Sequence, residues 1–171
     1  HTLKLNGGLH DKMEQTQVER VSSTKRKDSL HIYLLSKSLI AKEDIWKVER
    51  EIKNQLFPNH FMSITIHERF ELSSQYTPEN LMRLYEESIL EELKQYSHIE
   101  YNALRTADIT YPDFGKMLLT LHDTVLNRSK EYELIRILEK IVVERCGINC
   151  KIEVAYKEAG GEKYAQDNEL K

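Results

Sequence analysis

Hydrophobic and polar residues alternate at both ends of the first half of the chain and recur at helical spacing between them. Alternation over residues 29–35 predicts a strand. A weaker pattern over 17–22 predicts a preceding strand, with the polar residues 23–28 as a hairpin loop. Apolar residues three and four positions apart predict a helix over 43–56. Residues 61–70 alternate again, so this half is predicted to fold as a ββαβ unit.

The second half repeats this order after a helical segment. Thr77 followed by Pro78 is a typical helix start. Ser97 and Glu100 have the spacing of a capping box at the start of a second short helix. Residues 73–107 are therefore predicted to be a helical connector. Beyond it the pattern predicts strands over 108–111, 116–122 and 149–156, and a long helix from Ser129 to Cys146.

The two ββαβ units echo each other at a shift of 86–88 residues, where Ile32 corresponds to Leu119 and Ile66 to Val154. Gene duplication and chance similarity of two amphipathic units are both open explanations. In either case each small sheet has one apolar face that a helix must cover, which predicts an α+β fold. Gly7-Gly8 is expected to interrupt any element near the N-terminus. The predicted organisation is an N-terminal extension (1–15), a first ββαβ domain (16–72), the connector (73–107), a second ββαβ domain (108–157) and a flexible linker (158–171).

Composition is typical of a soluble globular protein without disulfide bonds. Of the 171 residues, 40% are hydrophobic, 31% are charged and two are cysteines. No apolar run approaches the ~20 residues of a membrane span, so we expect a cytoplasmic protein without a membrane partner. The net charge is −3, although residues 1–42 hold eight basic and four acidic residues. This balance disfavours extensive phosphate binding and leaves room for a local basic patch.

The sequence offers no recognisable catalytic, cofactor-binding or metal-binding set. Cys146 and Cys150 have no second close pair with which to hold zinc, and we expect them to be small buried hydrophobes. The histidines form no metal motif, and we expect His31, His67 and His122 on the polar faces of strands. Neither glycine pair lies between a strand and a helix, as a phosphate-binding loop does. We therefore predict no catalytic residue, no metal ligand and no cofactor.

The basic triplet Lys25, Arg26 and Lys27 is the one candidate contact site in the sequence. It is predicted to lie in the hairpin loop, where it could contact nucleic acid or an acidic partner. The simpler interpretation is a solvated hairpin tip whose charges discourage pairing between sheet edges.

Several segments resemble the start of PolC-type DNA polymerase III alpha subunits of Gram-positive-type bacteria. The first is VERVSSTKRKDSLHIYL, residues 18–34. EIKNQLFP (51–58), YTPENLM (76–82), DTVLNRSK (123–130) and ERCG (144–147) follow in the same order. The resemblance spans roughly residues 16–160 and depends on the ordered set of segments.

The resemblance implies a non-catalytic part of a catalytic protein. The parent polymerases are DNA-directed DNA polymerases with a 3'-5' exonuclease, and their catalytic carboxylates lie in later domains that match no residue here. The N-terminal region of the family is thought to resemble the polymerase-binding end of the clamp-loader tau subunit, which has a truncated KH-like fold. We therefore expect a replisome docking region with unidentified protein partners. The alternative is a KH-like module that binds single-stranded nucleic acid, although no Gly-x-x-Gly backbone clamp is present.

Overall fold

A computed structural model describes residues 3–158, which form two units. The first unit consists of the described part of His1–Ser74 together with Arg145–Gly147, and the second of Gln75–Glu144 with the described part of Ile148–Lys171. Each unit contains one three-stranded sheet, so the predicted α+β fold with two sheet-plus-helix units is confirmed. The linker predicted over 158–171 lies outside the described residues except for Glu158. No helix in the described part of the chain is long and apolar enough to cross a membrane.

The first unit has the predicted ββαβ order, preceded by one additional helix. Strand β2 lies at the centre of the sheet, antiparallel to β1 and parallel to β3. The buried residues Leu34 and Ile66 of the sheet and Ile45 and Val48 of α2 belong to the core, because the apolar stripe of α2 covers one face of the sheet. Its elements are α1 (Gly7–Glu14), β1 (Thr16–Ser23), β2 (Ser29–Ser36), α2 (Lys42–Leu56) and β3 (Ser63–Phe70).

The second unit has the same strand directions and a larger helical layer. Strand β5 is antiparallel to β4 and parallel to β6, and the fully buried Met117, Leu119 and Leu138 belong to its core. The predicted connector forms two helices that pack within this unit, α3 against α4 and β5, and α4 against α5. Its elements are α3 (Pro78–Tyr96), α4 (His98–Arg105), β4 (Asp108–Thr110), β5 (Lys116–Asp123), α5 (Val125–Glu139) and β6 (Lys151–Glu158). A π-helical segment, Lys140–Arg145, continues α5.

The expectation that Gly7-Gly8 interrupts any element was wrong. Both glycines lie in the first turn of α1, where nothing within 4 Å would meet an added Cβ. The Asn6 side chain accepts a hydrogen bond from the Leu9 amide, and Leu9 is buried. The helix therefore forms because a good N-cap and one buried apolar anchor offset the low helix propensity of glycine.

Two predicted helix caps were also wrong. Helix α5 begins after Thr124, whose hydroxyl accepts from the Asn127 amide, and not at Ser129. Ser97 precedes α4 but makes no side-chain capping bond. Its expected partner Glu100 is instead completely buried, because the side chain points into the unit and not back toward the helix start.

Candidate interaction surface

The basic triplet occupies the tip of the β1–β2 hairpin, as predicted. All three side chains are exposed, and Lys27 adopts the left-handed backbone conformation with φ 56°. The Thr24 hydroxyl donates to the Asp28 carboxylate at 2.7 Å, and the Lys27 amide donates to the Thr24 carbonyl at 2.9 Å. These two bonds close the turn, so the tip holds its shape without any contribution from the basic side chains.

The face of the first sheet that points away from α2 carries a row of stacked side chains, which we call the stacked row: Arg20, Tyr33, His67 and His31. The strand registers place Arg20 beside Tyr33 and Tyr33 beside His67. The Arg20 guanidinium lies 4.1 Å from the Tyr33 ring centroid. The Tyr33 and His67 ring centroids are 4.6 Å apart, with an angle of 16° between the rings. Tyr33 is thus held between a cation and an imidazole, a favourable arrangement for its π system.

The two histidines of the stacked row are coupled through one hydrogen bond. His31 Nδ1 and His67 Nε2 are 2.9 Å apart, and the Ser29 hydroxyl lies 3.2 Å from the other ring nitrogen of His31. Partial burial lowers the pKa of His67, and the nearby His31, Lys42 and Arg145 lower it further, while Glu68 opposes them. Only one proton can lie between the two facing nitrogens, so one ring donates and the other accepts, and the tautomers of the two histidines decide which.

An exposed ion pair borders the stacked row. Arg69 Nη2 lies 3.1 Å from both carboxylate oxygens of Glu19. Glu19 is the extra residue where the β1–β2 register shifts between Val18 and Arg20, which makes it a β-bulge. The bulge therefore brings an acidic side chain to the face on which Arg20 and Arg69 also lie.

The equivalent positions of the second sheet lack this arrangement. The shift of 87–88 residues places Leu118, Thr120 and Ala155 where the first sheet has His31, Tyr33 and His67. Asp108, the neighbour of Thr120 on β4, takes the position of Arg20. The same strand order thus forms without a stacked row at these positions, so the fold does not require the stacked row.

On the opposite face of the sheet, buried polar contacts between α2 and β3 hold β3 in place. Lys42 Nζ donates to both oxygens of Glu68 at 3.1 and 3.3 Å, and the two side chains are 9% and 2% exposed. The Ile66 amide donates to the Glu49 carboxylate at 2.8 Å. Burial raises the pKa of Glu49, and the Ile66 bond opposes that rise. These contacts hold His67 in place, because it lies between Ile66 and Glu68 on the same strand.

The cysteines and histidines that the sequence offered as candidates lie at positions with a structural explanation. Cys146 and Cys150 are buried and unbridged, as expected, and burial raises the pKa of Cys150 to about 11. His67 is exposed, and His31 and His122 are half-buried at the surface of the sheets. Within residues 3–158, one group of three metal-ligand side chains lies close together, His10, Asp11 and Glu14, and all three are exposed on α1. Sequence reasoning missed the stacked row, since its members come from three strands and meet only through the sheet register.

The fold and this surface define the first unit as a small α+β sheet-plus-helix unit with one polar and aromatic face. Residues 1–66 match the family model described as DNA polymerase III polC-type N-terminus I. This match covers α1, β1, β2, α2 and the start of β3, and it confirms the resemblance seen in the sequence. Over these residues the chain is similar to the N-terminal region of PolC-type DNA polymerase III. Comparisons with curated proteins and with solved structures gave no match.

Proposed function

We propose that this chain is a non-catalytic docking region of a replicative, cytoplasmic PolC-type polymerase, and that it binds another replisome protein through the stacked row. The family match over residues 1–66 supports an N-terminal position in such a polymerase. The single observation that carries the proposal is the stacked row itself, which the second sheet shows to be unnecessary for the fold. Aromatic and arginine side chains presented together are the groups that contribute most to protein interfaces.

The arrangement of the rings favours a protein partner over stacked bases. A base needs a free aromatic face, whereas Tyr33 lies between Arg20 on one side and His67 on the other. The row therefore offers ring edges and polar atoms, which suit hydrogen bonds and apolar contacts from a protein. Glu19 neutralises Arg69 on the same surface, which reduces the positive charge available to a phosphate backbone.

Binding to purified replisome proteins tests this proposal. The labelled full chain is titrated with clamp, clamp loader, helicase, primase and single-strand-binding protein in turn, with fluorescence anisotropy as the readout. We expect saturable binding to one of them, weakened tenfold or more by Tyr33→Ala and by His67→Ala. Tyr132→Ala is the matched control, because Tyr132 is 70% exposed on α5, and it should leave the affinity unchanged. Equal loss with the control, or no binding partner, would contradict the proposal.

The basic triplet supports a second candidate function, single-stranded nucleic-acid binding. Lys25, Arg26 and Lys27 extend from the same hairpin that supplies Arg20 to the stacked row, so a strand could follow the hairpin from the tip to the sheet. Titration of single-stranded DNA at low and physiological salt distinguishes the two candidates. Binding tighter than the ~10⁻⁴–10⁻⁶ M of non-specific contacts at physiological salt, lost when the basic triplet is replaced with serine, would favour this second function.

A further inference from the structure

Strand β1 is the open edge of the first sheet. Within residues 3–158, the strand order β1-β2-β3 leaves one side of β1 and one side of β3 without a neighbouring strand. At β3 the Ile66 amide donates to the Glu49 side chain of α2, so part of that edge is already used. All of β1 except Thr16 is exposed. An unpaired edge of eight residues is a ready template for another strand.

The side chains of β1 are complementary to themselves when two copies run antiparallel. With a two-fold axis between Glu19 and Arg20, each Glu19 lies opposite Arg20 of the second copy, and each Val18 lies opposite Val21. An isologous pair of this kind repeats every contact twice. The two central ion pairs and the two flanking valine pairs are combinations that stabilise neighbouring antiparallel strands.

The β-bulge places these groups on the correct faces. Val18 pairs with Leu34 and Val21 with Ile32, two residues apart on β2, so both valines lie on the face covered by α2. Helix α2 nevertheless leaves them 56% and 55% exposed. Glu19 and Arg20 lie on the opposite face, where Glu19 contacts Arg69. In the pair, the valines would therefore meet on one face and the charges on the other.

A second copy of β1 matches the charges of β1 better than an unrelated strand whose charged side chains all have the same sign. A uniformly acidic segment would place a carboxylate opposite Glu19, and a uniformly basic one would place a cation opposite Arg20. The basic triplet lies beyond Ser23, outside the paired segment, so its charges do not oppose pairing along β1. We propose that β1 mediates reversible self-association of this chain through antiparallel pairing about Glu19 and Arg20, forming a continuous six-stranded sheet.

The small area of the contact between the two β1 strands predicts a low affinity for the dimer. One eight-residue strand pair is smaller than the interfaces of stable dimers, which bury more than about 1,000 Å². The dimer should therefore be weak and concentration-dependent. Sedimentation equilibrium of the full chain from ~10 μM to ~1 mM, the range of weak association, should show an increase from monomer to dimer mass.

Charge reversal tests the register. Glu19→Arg and Arg20→Glu each place like charges opposite one another and should weaken dimerisation tenfold or more. An equimolar mixture of the two variants restores opposite charges at both positions and should form heterodimers. The double variant, which exchanges the two charges, should again form homodimers. Glu43→Arg and Arg50→Glu on α2 are matched controls at exposed positions and should dimerise like the unmodified chain.

Each result of these dimerisation experiments either supports the proposed β1 contact or overturns it. A chain that stays monomeric at ~1 mM, or single variants that dimerise unchanged, would overturn the proposal. A mixture and a double variant that both remain monomeric, while circular dichroism shows native folding, would exclude this register. Increased amide-exchange protection of residues 17–22 with rising concentration would place the contact on β1, and unchanged protection there in a dimer would assign the contact to another surface.

Discussion

Glu100 makes the stability of the second unit depend on pH in an unusual direction. Its side chain on α4 is completely buried, and neither carboxyl oxygen has a hydrogen-bond partner at bonding distance. The pKa of Glu100 is raised from 4.5 to about 7, mainly by burial and also by the nearby Glu133, while Lys130 opposes both. The neutral acid is therefore the form that fits the folded chain below pH 7.

The expected magnitude follows from the two pKa values. Between pH 4.5 and 7 the folded chain keeps a proton that the unfolded chain has released, so the free energy of unfolding falls as the pH rises through this range. A difference of roughly 2.5 pKa units corresponds to ~3.4 kcal/mol at full strength. The Glu133 side chain is 47% exposed, so solvent screening reduces the effect to on the order of 1–3 kcal/mol.

Urea denaturation at several pH values between 5 and 8.5 measures this effect. The variant Glu100→Gln cannot ionise, so its stability should fall less with rising pH, and it should be more stable than the unmodified chain at pH 8. Glu87→Gln, at an exposed position of α3, is the matched control and should keep the pH dependence of the unmodified chain. If Glu100→Gln retains the full pH dependence, or is less stable at pH 8, the assignment of a neutral buried Glu100 is wrong.

Three further predictions concern stability and activity. Leu138→Ala, at a completely buried position of α5, should cost ~2–5 kcal/mol and remove amide protection from β4–β6 while β1–β3 keep theirs. Replacing the basic triplet with serine should change stability by less than ~0.5 kcal/mol per site, because the side chains are exposed; a larger loss by thermal denaturation would show a structural role. The purified chain should extend no primer and degrade no DNA with magnesium or manganese, and activity above background, from protein free of contaminating polymerase, would contradict the non-catalytic assignment.

The repeated ββαβ pattern was visible in the sequence because both helices and the central strands bury regular apolar stripes. The stripe Ile45, Val48 and Ile52 is buried as its spacing indicates. The start of α5 was misplaced because Val125 and Leu126 are 85% and 59% exposed, so the first turn carries no amphipathic signal. The hydrogen bonds from the Asn127 amide to the Thr124 hydroxyl and from the Arg128 amide to the Thr124 carbonyl mark that start.

Only one part of the candidate surface, the hairpin tip, could be predicted from the sequence. The hairpin tip follows from a continuous polar segment, and its position was confirmed. The stacked row depends on the parallel register that places Tyr33 beside His67, 34 residues later in the chain. The alternation of residues predicted that His31 and His67 lie on polar faces but could not indicate that they meet, since strand order and register are long-range properties.

The contact between Glu49 and the Ile66 amide has a consequence for the solution behaviour of this chain. Growth of a sheet into a fibril requires two unpaired strand edges on every subunit, one for each neighbouring subunit. The Ile66 amide is already bound to the Glu49 carboxylate at 2.8 Å, so the β3 edge offers one backbone donor fewer to a further strand. Strand addition is therefore favoured at the β1 edge over the β3 edge, which favours pairs of these sheets over longer stacks.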